Sequence, residues 1–135
     1  MMSANDTFRT NIKVTVGDLN YGNHVGNDRF LLFFHEARIR FLQNSGLSEM
    51  DIGEGVSLIM SEAQLKYKAQ IGLGEELGVE VKICDVGRVR FVMEYSVLKK
   101  SDQVVAATGK TVMGAFDYEA NKITMLPASF IERFS

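Results

Sequence analysis

Gly17-Asp18-Leu19-Asn20-Tyr21-Gly22-Asn23-His24-Val25-Gly26-Asn27-Asp28 separates two segments of different periodicity, one of strand type and one of helix type. Upstream, Phe8, Thr10, Ile12, Val14 and Val16 alternate with Arg9, Asn11, Lys13 and Thr15, which predicts a half-buried strand over 8–16. Downstream, Phe30, Phe33, Phe34, Ala37, Phe41 and Leu42 recur at spacings of three and four, the pattern of a helix. The predicted helix runs over 29–45, with Asn27 or Asp28 as its N-cap and Gly46 ending it in a left-handed conformation. Leu31, Leu32 and Ile39 widen the apolar stripe until little of the early circumference is polar. Such a helix needs covering on most sides, so it is expected inside a curved sheet rather than on top of one.

From Val56 onward the sequence predicts strands alone, which leaves one helix in the chain. Residues 59–67 place Ile59, Ala63, Leu65 and Tyr67 on one face, and glycines 72 and 74 mark a turn. Leu77, Val79, Val81 and Ile83 alternate next, then Val89, Phe91, Met93, Tyr95 and Val97, with Asp85-Val86-Gly87 between the two runs. A turn over 99–102 leads into a run over 103–116, and 117–122 turns again before a last strand over 123–126. Gly109 and Gly114 within a strand indicate a bend or a close backbone approach. One early helix followed by consecutive short strands is an α+β arrangement, a long central helix wrapped by a curved antiparallel sheet. The 135 residues suit one domain spanning 1–135. A small sheet of this kind leaves edges and a face uncovered, so self-association as a dimer or tetramer is expected.

Composition narrows the class. Apolar residues make up 46% and charged residues 24%, the usage of a soluble globular domain. A net charge of -2 offers no attraction to nucleic acid or to an anionic membrane. Cys84 is the only cysteine, so no internal disulfide forms and a reducing, cytoplasmic setting fits. No run reaches membrane-spanning length, and residues 1–7 lack an apolar targeting core.

Asp18, Asn20, His24, Asp28, His35 and Glu36 gather the polar chemistry around the loop and the helix. His24 and His35 stand eleven apart with no cysteine nearby, so no metal site is expected, and no cofactor motif is present. A carboxylate beside a helix N-terminus suits attack on an activated acyl ester, since backbone N–H groups there stabilise an oxyanion. The same residues also fit an ordinary strand-to-helix connection, in which Asn and Gly supply turns and an acid supplies a cap.

The run Asp18 to Asn27, continued by His35-Glu36-Ala37-Arg38, resembles the signature of the 4-hydroxybenzoyl-CoA thioesterase-like branch of the hotdog-fold acyl-CoA thioesterases. Ala63 to Tyr67, Gly74-Glu75 and Leu126-Pro127 extend the likeness over nearly the whole chain. The resemblance implies a hotdog fold, dimers that pair into tetramers, active sites at the dimer interface and hydrolysis of acyl-CoA thioesters. It also exposes departures. Asn20 stands where the branch carries its catalytic carboxylate, Gly26 replaces the first Asn of an Asn-Asn pair, and His35 replaces the first acid of Glu-Glu-Ala-Arg.

On this reading Asp18 or Glu36 activates water, and Asn20 and His24 orient substrate or water. Asp18 and Asn20 share a face if the chain stays extended. Backbone N–H groups of Val25, Gly26 and Asn27 hold the oxyanion, and Arg88 and Arg90 meet the CoA phosphates. The alternative is a hotdog protein that binds acyl-CoA or another acyl ligand without catalysis, and Asn20 favours it.

Overall fold

The computed structural model describes residues 2–135. Its centre is helix α1 (Arg29–Asn44), around which five strands curl: β1 (Phe8–Lys13), β2 (Ser57–Tyr67), β3 (Glu76–Cys84), β4 (Arg90–Lys99) and β5 (Val105–Asp117). All neighbours are antiparallel, in the order β1-β3-β4-β5-β2, and a two-residue β6 (Lys122–Ile123) pairs with the end of β5. The change of period predicts this helix wrapped by a curved antiparallel sheet, and the resemblance implies its name, the hotdog fold. β1 and β2 are the open edges of the five-strand path, and the sheet does not close on itself.

The helix is buried on the face that the sequence marks. Phe30, Phe33, Phe34, Ala37, Phe41 and Leu42 lie against Leu77, Val79, Val81, Met93, Tyr95 and Met113 of the sheet. Phe34 stacks on Tyr95 with ring centroids 4.4 Å apart. Gly109 makes that contact possible, because a Cβ at this position would run into the Phe34 ring and the Gln64 carbonyl. Leu31 and Leu32 stay exposed, so the helix is not covered all round within one chain.

Three sequence expectations are corrected. The first strand ends at Lys13: Val14 N–H bonds the Glu75 carbonyl, and residues 16–18 tighten into a 3₁₀ turn that leaves Val16 74% exposed. The chain has a second helix, α2 (Ala128–Phe134), entered through Pro127, with Phe130 and Phe134 four residues apart and buried. Asp28 occupies the N-cap position of α1, but its side chain makes no capping bond. The other end follows expectation, with Gly46 at φ 75° just past the helix.

The convex face of the sheet is laced with opposite charges. Glu94 lies 3.8 Å from Lys82 and 3.9 Å from Lys110, and Arg9 lies 3.9 Å from Glu80. Among the described residues no helix is long and apolar enough to cross a membrane.

Candidate functional site

The loop over 18–28 is a built structure. Leu19 pairs with Val25 and His24 with Gly72, so the loop forms a small hairpin pinned to the turn before β3. Asn20 organises its tip: Oδ1 accepts the N–H groups of Gly22 at 2.9 Å and His24 at 3.3 Å, and its N–H donates to the His24 carbonyl at 2.7 Å. An Asx turn of this kind needs an oxygen acceptor two residues ahead of a backbone N–H, which Asn supplies without a charge. Tyr21 and the His24 side chain are left exposed at the tip.

Asp18 anchors the base of the loop and is 8% exposed. Its Oδ2 accepts Thr15 N–H at 2.9 Å and the Thr15 hydroxyl at 3.2 Å, and its Oδ1 accepts Nε and Nη2 of Arg29, both at 3.3 Å. The 3₁₀ turn at 16–18 breaks the extended geometry on which a shared face for Asp18 and Asn20 depended. Glu36 is likewise engaged: Arg40 Nε donates to its Oε2 at 2.9 Å and carries it toward Thr10 and the Asn11 carbonyl of β1.

Two of the three expected oxyanion donors are committed elsewhere. Val25 N–H donates to the Ile71 carbonyl at 2.9 Å, and Gly26 N–H to the Asp18 carbonyl at 3.0 Å. Their task is to hold the loop against the core. Among the described residues the N–H groups of Asn27 and Asp28 have no protein acceptor, and they sit where the dipole of α1 presents its positive end. Beside them, Tyr67 donates its hydroxyl to the Asn27 carbonyl at 3.0 Å and packs edge-on against Phe30. A cavity of about 250 Å³ opens here between the loop and the end of β2.

Arg88 and Arg90 lie at the other end of the sheet. Arg90 pairs with Gly114 at the start of β4, whereas the loop adjoins Ile71 and the turn before β3, next to where β2 ends. Within one chain these arginines do not share the loop's surroundings.

Sequence reasoning missed a second polar cluster along the flank of α1 that faces β2. Glu49, in the connection after the helix, receives Arg38 Nε at 2.9 Å on the same oxygen that stands 3.4 Å from His35 Nε2. Arg38 is 5% exposed, and its Nη1 donates to the Tyr95 hydroxyl at 3.1 Å; that hydroxyl lies 2.7 Å from Thr111 Oγ1. Burial works against the Arg38 charge, but the Tyr95 phenol and Glu49 more than offset it, and the guanidinium is held above its usual value. Burial also pushes the Tyr95 phenol up, with Arg38 pulling the other way. Glu49 is fixed by its backbone, since its carbonyl accepts Leu58 N–H at 2.7 Å, and Asp51 caps the turn beyond it by accepting Gly53 and Gly55 N–H. The cluster forms one end of a cavity of about 370 Å³, otherwise lined by apolar side chains such as Leu31, Leu58, Met60 and Met113. Among the described residues no group of three or more His, Cys, Asp or Glu is placed to hold a metal ion.

A family profile described as the Thioesterase-like superfamily matches residues 14–134, nearly the whole chain. The chain belongs to that superfamily. Solved structures agree on the fold. The superfamily member here is 24% identical to a 1,4-dihydroxy-2-naphthoyl-CoA thioesterase from Synechocystis, with 90% of each chain covered and a TM-score of 0.82. It is 22% identical to a hypothetical protein from Staphylococcus aureus solved in complex with CoA, over 98% of this chain and 82% of that one, with a TM-score of 0.83. A DHNA-CoA thioesterase from Staphylococcus aureus is 20% identical over 93% of this chain and 85% of its own, at a TM-score of 0.82. No curated protein sequence matches the chain.

Proposed function

We propose that this protein hydrolyses acyl-CoA thioesters to free acid and CoA. The observation that carries the reading is the family match over 14–134, combined with a hydrogen-bonded loop that leaves two N–H groups without an acceptor among the described residues at the N-terminus of α1. Such donors stabilise the oxyanion formed as water adds to a thioester carbonyl. Asn27 and Asp28 supply them, His24 and the Asn20 amide orient substrate at the loop tip, and the Asp18–Arg29 pair holds the loop in place. Phe30 and Tyr67 wall the cavity beside the donors.

The acting species is an oligomer of this chain, a dimer paired along β2 and open to further pairing into a tetramer. β2 has a free edge over its full length, and Met60, Leu31 and Leu32 lie exposed beside it, whereas the charge-laced convex face suits water. In a two-fold pairing of β2 with a second copy, Arg88 and Arg90 come nearer to the other chain's loop, which is how they reach CoA phosphates. Sedimentation equilibrium tests the assembly: a mass near the 15.1 kDa of a single chain contradicts it. The single, free Cys84 fits a reducing cytoplasmic setting.

A second reading has its own support. Asp18 has both carboxylate oxygens engaged and Asn20 is neutral, which favours an acyl-CoA binder without catalysis. A screen of short, medium, long and aromatic acyl-CoAs by thiol release, with analogue affinity measured by calorimetry, separates the two. Thiol release supports the enzyme; tight analogue binding with release at the buffer rate supports the binder.

A further inference from the structure

We propose that His35, backed by Glu49, is the general base of this hydrolysis. The proposal rests on the thioesterase reading above and names the residue that the loop does not provide. Asp18 and Glu36, the carboxylates nearest the expected position, are each bound to an arginine. His35 is different. Its Nε2 stands 3.4 Å from Glu49 Oε1, its ring lines the 370 Å³ cavity, and the side chain makes no other polar contact among the described residues. An imidazole on a cavity wall with one nitrogen beside a carboxylate pairs a base with the group that orients it, and the second nitrogen is the one left to take a proton.

The titratable and charged groups around the ring are Glu49 from the connection after α1 and Arg38 from the next turn of the helix, with Tyr95 of β4 behind Arg38. Arg38 shares the Glu49 oxygen and fixes the carboxylate in place. The remaining cavity wall is mostly apolar, which suits an acyl group.

His35 lies seven residues beyond Asp28, roughly 10 Å along the axis from the free N–H groups at the start of α1. Antiparallel pairing of two β2 edges removes that separation. It sets the Ser57 end of one strand, where this cavity opens, against the Tyr67 end of the other, where the loop donors stand. The complete site then takes its oxyanion donors from one copy and its base from the other. His35 removes a proton from water as the oxygen attacks the carbonyl carbon. The tetrahedral intermediate then expels the CoA thiolate, which takes that proton back from the imidazolium. Products are the free acid and CoA thiol, with no other reactant needed.

Full-length wild type, His35→Ala and Glu49→Gln are compared for kcat, KM and thermal melting on the best acyl-CoA of the screen, with and without added imidazole. Exposed His35→Ala should fold as wild type and lose kcat by about 10²-fold or more with KM little changed. Imidazole should restore part of that rate and none of the loss in Glu49→Gln, because only the first lacks the base. A His35→Ala protein within about threefold of wild-type kcat, or one that imidazole leaves unmoved, overturns the assignment while the thioesterase reading stands. A wild type that releases no thiol removes both.

Discussion

Asp18 and Arg29, eleven residues apart, close the candidate loop onto the first turn of α1: the guanidinium donates twice to one carboxylate oxygen, and Thr15 donates twice to the other. The aspartate at the start of the loop is therefore a clamp, and its free valences are spent on the protein itself.

Asp18→Asn keeps the shape and removes the charge that Arg29 and Thr15 address. We expect stability to fall by about 1.5–3 kcal/mol, the range for hydrogen bonds to a charged group. Urea titration measures it. A rate loss of about 10²-fold with unchanged stability would instead put the Asp18 carboxylate in the chemistry.

Tyr95→Phe deletes the hydroxyl that joins Arg38 to Thr111 behind the cavity. The buried guanidinium then loses a partner, and a cost of about 1–3 kcal/mol follows. There is a pH signature as well. Burial raises the Tyr95 phenol above its ordinary value of 10.0, so its contribution is full below pH 10.0 and is lost as pH rises through the raised value. Melting curves across the alkaline range should show a shallower decline in the Phe variant.

Gly109→Ala drives a methyl group into the Phe34 ring and the Gln64 carbonyl, between the helix and the sheet. Overpacking of this kind costs about 1–3 kcal/mol, and thermal melting reads it directly. Gly114→Ala meets only ordinary contacts and should cost less.

Cys84 donates its thiol to Glu94 at 3.3 Å, and burial with that carboxylate pushes it up from 9.0 to about 11. Alkylation by iodoacetamide should stay slow at neutral pH and accelerate only as pH approaches 11, since the thiolate is the nucleophile. Glu94→Gln should bring the acceleration to lower pH.

The helix and its wrapping sheet were legible because Phe30, Phe33, Phe34, Ala37, Phe41 and Leu42 encode a local period that tertiary packing only reinforces. The second helix was not, because seven residues with two phenylalanines four apart give too few turns to separate a helix from a strand end. The loop's location could be read, but its hydrogen bonding could not. Whether Val25 N–H faces a ligand or the Ile71 carbonyl depends on a contact forty-six residues along the chain. Glu49 and Tyr95 were invisible for the same reason: Arg38 meets one of them across 57 residues, and nothing in the Leu47–Gly55 connection marks an acid that folds back onto the helix. His35 stood out as one of two histidines near the loop and by standing where a carboxylate was expected, but its partner Glu49 gave no signal.

Whether this chain cleaves thioesters is decided by a single-turnover assay. Protein in excess over the best acyl-CoA is run in water enriched in heavy oxygen, and free thiol and the acid's mass are followed together. A thioesterase should release thiol at least about 10²-fold above buffer, with one heavy oxygen from the water in each acid formed. Acyl-CoA that stays bound and intact, with release at the buffer rate, would contradict it.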